Sequence, residues 1–477
     1  MRNLSAGNAY LGIQMKSRNH STSTLARPIH RLGEASLWRV LSALLLCAIV
    51  LALRAAQADP IAGNPAWAHA TATPGADAGN SVAVDHQGNA VIAITSLPVS
   101  PGSFETLIAK YNPQGALLWS NTVRGAGSVI ARSIAVDLHG DVLLAGQFSG
   151  RVDLGGGEMA SAGGPYDVFI AKFSGANGAY VWSQRFGGSG SDLGSAVAAD
   201  RVGDAVVTGH WVTPEGTFSI FLIKLSSMNG NVMWRKDMTN ASGGVSIGTT
   251  LRIAPNGDII FAGHFVGFLN LGGDQLGGSG DEHMFISKFS ATGHHRWSRA
   301  FDSDSEFHPT ALALDKDGAI AVTGYFRSKA RIAKFMVTSS GERDIFLVKL
   351  STDGVPSWAI SLGGAGEDEA YALAFDPHGD LVLAGAFRGS LDVGGKILNC
   401  LGVRDGFLAR YSADGGALSA TALNCSFDGQ ANGLACDSTG CVFVTGYFSR
   451  LMRVGQTVLQ SGGPDAFLLK FPSLSRP

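Results

Sequence analysis

The chain has 477 residues, a formal net charge of −2, only 16% charged residues and 64 glycines. Sparse charge with so much glycine describes a structure full of turns. Seven of the Lys and Arg residues but a single Glu fall in residues 1–58, so the remainder is acidic by about eight charges. With no basic cluster to grip phosphates, nucleic acid is excluded as a partner class.

The first predicted element is an apolar run at 40–53 (VLSALLLCAIVLAL), preceded by Arg27, Arg31 and Arg39 and stopped by Arg54. A membrane-spanning helix needs roughly 20 apolar residues, so the run is too short for one. Ala56-Gln57-Ala58 follows as a small-x-small cleavage site, and the three features together describe a secretory signal peptide cut after Ala58. The competing reading is an uncleaved anchor. Cys47 follows the bulky Leu46, which argues against a lipidation site. The extension before Arg27 is long for a signal, and translation from Met15 would shorten it. We therefore divide the chain into a signal peptide with a long N-terminal extension (1–58), a short linker (59–66) and a repeat domain (67–477). No segment after the signal is apolar enough to span a membrane, which implies a secreted, periplasmic or cell-surface bacterial protein.

From Trp67 onward one phrase repeats seven times. Its first and second strands read, for example, SIAVDLHGDVLLAGQF (133–148), ALALDKDGAIAVTGYF (311–326) and ALAFDPHGDLVLAGAF (372–387). Third strands read DVFIAKF (167–173), DIFLVKL (344–350) and DAFLLKF (465–471), and fourth strands centre on Trp119, Trp182, Trp234, Trp297 and Trp358, with Ser419 in the sixth place. Tandem units that bury their apolar faces on their neighbours are the mark of repeat architectures. Four short strands per unit, apolar on both faces, predict an all-β, seven-bladed β-propeller of four-stranded antiparallel blades. The seventh repeat ends at Phe471 without a fourth strand, whereas Trp67 (WAHATATPG) opens the domain with a fourth strand and nothing before it. Pairing Trp67 with the strand around Phe467 completes the last blade and closes the ring.

The recurrent residues have structural readings. Asp85, Asp137, Asp200, Asp315, Asp376 and Asp437 end first strands where a side chain caps turn N–H groups, and Asp167, Asp344, Asp405 and Asp465 head third strands in a similar role. The tryptophans are expected as wedges in the wide outer gap between blades. Lys110, Lys172, Lys224, Lys288, Lys349, Arg410 and Lys470 are expected near the rim, stems buried and heads in water. The segments GDVLLAGQF, DVFIAKF, WSQRFGGSGSD, AIAVTGYF and WAISLGGAGEDEA resemble the bacterial propeller repeats of exported proteins known as SBBP repeats, over essentially the whole domain. That resemblance implies an exported or cell-surface propeller and no common activity.

Connections between second and third strands are long, as at 149–166 and 266–282, and fourth-to-first connections such as 187–194 are also substantial, while the first-to-second and third-to-fourth turns are tight. In a propeller the long ones emerge on one face with the fourth-to-first connections, and elaborated loops on a rigid scaffold are where function tends to sit. One position varies there: after the second-strand Gly come Gln147, His210, His264, Tyr325, Ala386 and Tyr447, with Ser96 in the first repeat. Gln147, His210, His264, Tyr325 and Tyr447 would line a shallow pocket for a sugar or peptide; a merely tolerant, part-exposed position is the competing reading. The acidic tracts Asp302, Asp304, Glu306 and Glu367, Asp368, Glu369 are weak Ca²⁺ candidates, since that ion wants six to eight oxygens. Otherwise no cofactor and no metal site is expected. No catalytic motif is evident. After signal removal Cys400, Cys425, Cys436 and Cys441 remain; pairing Cys436 with Cys441 across a hairpin turn and Cys400 with Cys425 gives two disulfides, with four reduced thiols as the alternative. The functional expectation is a monomeric, non-catalytic binding or scaffold module that contacts a protein or cell-envelope glycan through its long-loop face. The alternative is a lyase or hydrolase with an axial active site and His210 and His264 as acid/base groups.

Overall fold

The computed structural model describes residues 63–473 except 72, 74, 98–102, 214 and 241–242, with the side chains of 279–281 also left aside. The chain divides into units 1–58 and 59–477, and every described residue belongs to the second. The expected signal peptide, 1–58, lies outside the described residues. Among those described, every regular element is a β-strand and every ladder is antiparallel; no helix is long and apolar enough to cross a membrane.

The strands form a β-propeller of sequence repeats. Repeat 2 is typical: Val129–Val136, Val142–Phe148, Asp167–Phe173 and Tyr180–Phe186 pair in that order. Equivalent ladders begin at Ala76, Leu193, Ser246, Phe307, Asp368 and Gly429. We number the repeats 1 to 7 from Ala76. In repeat 7 the last strand, Thr457–Phe471, pairs with Trp67–Thr71, with Trp67 opposite Lys470 and Ala70 opposite Phe467. Second and third strands are buried along their length because each ladder has another repeat on either side; Val142–Phe148 and Asp167–Phe173 are buried at every position. The apolar core is accordingly seven clusters, each shared by two consecutive repeats, and one of them joins Phe443 and Leu468 of repeat 7 to Ile92 and Ile94 of repeat 1.

The first-strand aspartates act as the sequence suggests. Asp85, Asp137, Asp200, Asp315, Asp376 and Asp437 each accept the N–H groups two and four residues on, holding the turn into the second strand. The third-strand cations depart from expectation. Four of the seven have their heads buried in close ion pairs with these aspartates: Lys110 Nζ lies 2.9 Å from Asp85, Lys172 2.8 Å from Asp137, Lys224 2.7 Å from Asp200, and Arg410 2.7 Å from Asp376. An aspartate that already needs donors, buried beside the stem, draws the head inward rather than out to water.

The long second-to-third connections are not loose loops. In repeats 2, 5 and 6 they fold as hairpins (Arg151–Asp153 with Glu158–Ala160, Lys329–Ile332 with Phe335–Thr338, Ser390–Val393 with Lys396–Asn399). In repeats 4 and 7 the strands simply run on, as Ile259–Leu269 with Leu276–Phe289 and Val442–Val454 with Thr457–Phe471. Several pair with the fourth strand of the preceding repeat, as Gly125 does with Val152 and Cys425 with Met452. Their inward residues Val152, Leu154, Ile332, Leu391 and Met452 are buried. These segments therefore join neighbouring repeats, and the elaborated face is largely structural.

The two expected disulfides are not formed among the described residues: Cys400, Cys425, Cys436 and Cys441 are free thiols. Cys436 stands opposite Val442 in the ladder, so Cys441 is one residue out of step and faces the other side of the sheet. Cys436 packs on the cluster between repeats 6 and 7, and Cys441 on that between repeats 7 and 1. Cys400 and Cys425 are separated in the same way, across repeat 6.

Each outer-strand tryptophan seats on the third-to-fourth-strand turn of the next repeat. Trp182 Nε1 donates to Ser227 O at 3.0 Å, and its ring lies over Gly230, whose φ of 71° and lack of Cβ allow the contact. Trp67, Trp119, Trp234 and Trp358 donate likewise to Pro113, Gly175, Ala291 and Ala413. Trp182→Ala should cost about 3–5 kcal/mol, the range for a buried Trp truncation. Trp182→Phe, which loses chiefly the hydrogen bond, should cost about 1 kcal/mol. Denaturant unfolding of the two variants checks the order; equal losses would show that the N–H bond, not the ring, carries the contact.

Candidate functional site

Every first strand carries a β-bulge at the same place. The register slips around Asn80, Arg132, Ser195, Thr249, Thr310, Tyr371 and Asn432. A bulge leaves one residue out of the ladder and re-aims its side chain, and these first strands are the innermost of each repeat. All seven bulged residues line a cavity of about 550 Å³, and the same seven also border a second cavity of about 510 Å³ running down the first strands. They are the collar between a mouth and a channel. Four of them fasten the repeats together: Asn80 Nδ2 donates to Ala131 O at 2.7 Å, Thr249 Oγ1 to Pro309 O at 2.6 Å, Thr310 Oγ1 to Ala370 O at 2.6 Å, and Asn432 Nδ2 to Gly79 O at 3.0 Å. Strand periodicity passes over these residues, although a polar or aromatic residue directly ahead of each apolar first strand was the available signal.

The mouth lies at the end of the second strands. Of the ring residues picked out by sequence, Gln147 and Tyr325 line it. Gln147 Oε1 accepts from Arg132 Nε at 3.3 Å. Tyr447 is half-buried and hydrogen-bonds Arg404 and Asp428, while Ser96 bonds Thr73 and Ala386 is buried. His210 and His264 are buried with their Nδ1 atoms unpartnered. Burial lowers His210 to about 4 and His264 to about 3. Both are held neutral at pH 7, which does not favour the acid/base roles that the alternative enzyme reading gives them. His264 stacks instead on His308, ring centroids 4.0 Å apart, and His308 stacks in turn on Tyr325 at 4.9 Å.

The acidic tracts are taken apart by the fold. Asp302 meets His283 Nδ1 at 2.9 Å, and Glu306 meets Arg343 Nε at 2.6 Å, so Asp302, Asp304 and Glu306 form no common oxygen cage among the described residues. Arg343 reaches Glu369 as well, at 2.8 Å, and these bonds, to Glu306 above all, hold its guanidinium well above its usual range. Glu369 also accepts from Tyr371 OH at the collar. A second clamp, Arg404 with Asp428 and Tyr447, stands in the next repeat. By contrast Arg132 at the collar and Arg252 in the channel pair with no carboxylate among the described residues; Arg252 Nη1 meets only Leu251 O, at 2.8 Å. Desolvation by the surrounding cavity walls lowers both guanidinium groups from their usual value. Arg132 is exposed at the collar and Arg252 half-buried, so a guanidinium with no counter-charge is open to an anionic ligand there.

No family model matches the chain. Regulatory protein FlaEY of Caulobacter vibrioides is 26% identical over 186 residues, which is 38% of this chain and 18% of that protein. The uncharacterized WD repeat-containing protein L264 of Acanthamoeba polyphaga mimivirus is 20% identical over 460 residues, 74% of this chain and 32% of that protein. The chain thus spans less than a third of either relative. Among solved structures, the quinohemoprotein alcohol dehydrogenase of Comamonas testosteroni superposes with a TM-score of 0.42 at 10% identity, covering 88% of this chain and 78% of that one. Sqt1 of Chaetomium thermophilum gives 0.42 at 11% identity, covering 84% and 97%.

Asp368, from the second acidic tract, supplies a pH test. Its Oδ2 accepts from Gly364 N at 2.7 Å, while its Oδ1, like that of Asp344, is buried without a partner. Burial, with Asp344 nearby, raises Asp368 to about 7. Its folded pKa lies above the unfolded value, so the native state holds the extra proton between about 4 and 7 and loses stability as pH rises through that window. Asp368→Asn should flatten the fall in melting temperature between pH 5 and pH 8; an unchanged slope would place the titrating group elsewhere.

Proposed function

We propose that residues 59–477 form an exported, seven-bladed propeller, closed by the Trp67–Thr71 strand, that binds an acidic cell-envelope glycan at its axial mouth. Seven ladders, seven inter-repeat clusters and the pairing of the first and last strands support the ring. The observation that carries the ligand class is the mouth itself. Its lining of about 550 Å³ contains amides (Asn80, Gln147, Gln430, Asn432), hydroxyls (Thr249, Thr310), phenols (Tyr325, Tyr371) and the unpaired Arg132. Convergent amides and hydroxyls match a polyhydroxylated ligand, tyrosine faces pack on sugar rings, and a free guanidinium takes a carboxylate bidentately. The volume is within the usual range for small-ligand sites. Binding is favoured over acid/base catalysis because burial holds the histidines selected by sequence well below the usual imidazole range, and Glu369, bonded to the collar Tyr371, is tied to Arg343.

Calorimetry of the purified protein with uronic-acid oligosaccharides and their neutral counterparts tests this. The acidic forms should bind and the neutral ones bind at least about tenfold more weakly, and Arg132→Ala should remove the difference. Equal binding by the variant would refute the assignment, and binding of a protein partner alone would replace it. Export has its own check: the N-terminus of protein recovered outside the cytoplasm should read Asp59-Pro60-Ile61. An intact N-terminus there would overturn cleavage after Ala58.

A further inference from the structure

His264 sits in the second strand of repeat 4, Glu282 in its third strand, and His308 in the first strand of repeat 5. The repeat does not require them. Positions equivalent to His308 hold Asp77, Ile130, Leu193, Ile247, Glu369 and Gln430. The register nevertheless gathers the three. His264 is opposite Met284 and Val266 is opposite Glu282, so His264 and Glu282 are diagonal neighbours on one face of the ladder. His308 arrives from the next repeat, stacked on His264 at 4.0 Å. One ligand-capable atom from each residue lies within 4.8 Å of the other two.

We propose that His264, Glu282 and His308 bind one divalent transition cation of the Zn²⁺ class, with Tyr325 as the support that orients His308. Two imidazoles and a carboxylate are the donor set of zinc sites that keep an open position, and imidazole nitrogen is the wrong ligand for Ca²⁺. His308 shows the arrangement such a ligand needs. Its Nε2 is 2.5 Å from Glu282 Oε1, and its other nitrogen, Nδ1, is held 3.0 Å from Tyr325 OH. His264 supplies an independent sign: it is only 7% exposed, and its Nδ1 is buried without a hydrogen-bond partner. Such groups are rare, and a bound ion is one of their few explanations. A tetrahedral ion with ligands at about 2.0–2.1 Å sets them roughly 3.3 Å apart. Binding therefore opens the Glu282–His308 contact and draws His264 inward, each by side-chain rotation. The net charge of the set changes from −1 to +1, so the ion adds a second cationic centre to the mouth that His308 lines. The site stands whatever ligand the mouth accepts.

The test is calorimetric titration of the full, chelator-stripped protein with Zn²⁺ alone, and absorption spectroscopy with Co²⁺ alone. One equivalent should bind, with Co²⁺ giving the d–d bands of a low-coordinate nitrogen–oxygen site. Glu282→Gln and His264→Phe keep volume and ring stacking; each should weaken Zn²⁺ at least about a hundredfold, and Tyr325→Phe by about tenfold. His295→Ala, outside the cluster, should bind as the unaltered protein does. Unaltered melting temperatures in the stripped state would separate loss of ligand from loss of fold. Absence of one-to-one binding, or binding that survives Glu282→Gln at full strength, overturns the proposal.

Discussion

The architecture depends on one buried carboxylate repeated at the end of the first strands. Asp137 caps its own turn, takes Lys172 into an ion pair at 2.8 Å, and so fixes where that lysine ends. From there Lys172 reaches Ser227 O in the following repeat, the same carbonyl that accepts from Trp182. Lys110 with Trp119 on Gly175 O, Lys349 with Trp358 on Ala413 O, and Lys470 with Trp67 on Pro113 O repeat the geometry. A buried cation is tolerable only when paired and hydrogen-bonded, and here turn, strand and neighbour each need the same group. Spacing between repeats, and hence the position of the bulges at the collar, follows from this junction.

The exceptions obey the same logic. Repeat 4 has Ala254 where others have the capping aspartate, and Lys288 pairs instead with Asp258, four residues on, at 3.0 Å. Repeat 6 has Ser419 where others have tryptophan. A tryptophan seats on the third-to-fourth-strand turn of the next repeat, and repeat 7 has no such turn, because its fourth strand is Trp67–Thr71. Ser419 is therefore what the junction predicts at that place. The last repeat contributes its tryptophan from the other end of the sequence, and Trp67 seats on Gly115 of repeat 1.

Strands, capping aspartates and tryptophan wedges were legible in the sequence because they answer to period and turn chemistry, which every repeat states again. What escaped was decided by offsets of a single residue. A bulge moves Arg132 or Tyr371 out of the ladder without altering the apolar pattern after it. A one-residue step sends Cys441 to the face opposite Cys436, although the two flank one turn. The lysine heads were misread because a stem that reaches the rim also reaches Asp137 when that carboxylate is buried beside it. His308 and Glu282 were invisible for a different reason: they belong to different repeats and occupy positions that vary freely, so aligning the repeats dispersed the cluster that packing assembles.

That contrast sets the collar apart from the rest of the molecule. Positions that the junction controls are uniform, whereas the collar carries Asn, Arg, Ser, Thr, Thr, Tyr and Asn on an otherwise repeated backbone. The variation is not evenly charged. On the side of repeats 5 to 7 the carboxylates Glu306, Glu369 and Asp428 are neutralised by Arg343 and Arg404. On the side of repeat 2, Arg132 has only an amide partner. A ligand at this mouth thus meets rigid, internally satisfied aromatic and acidic groups on one side and an unsatisfied cation on the other. Electrostatic complementarity of that kind orients a ligand more than it binds one tightly, so the proposed acidic sugar would be held with its carboxylate toward repeat 2 and its ring toward Tyr325 and Tyr371.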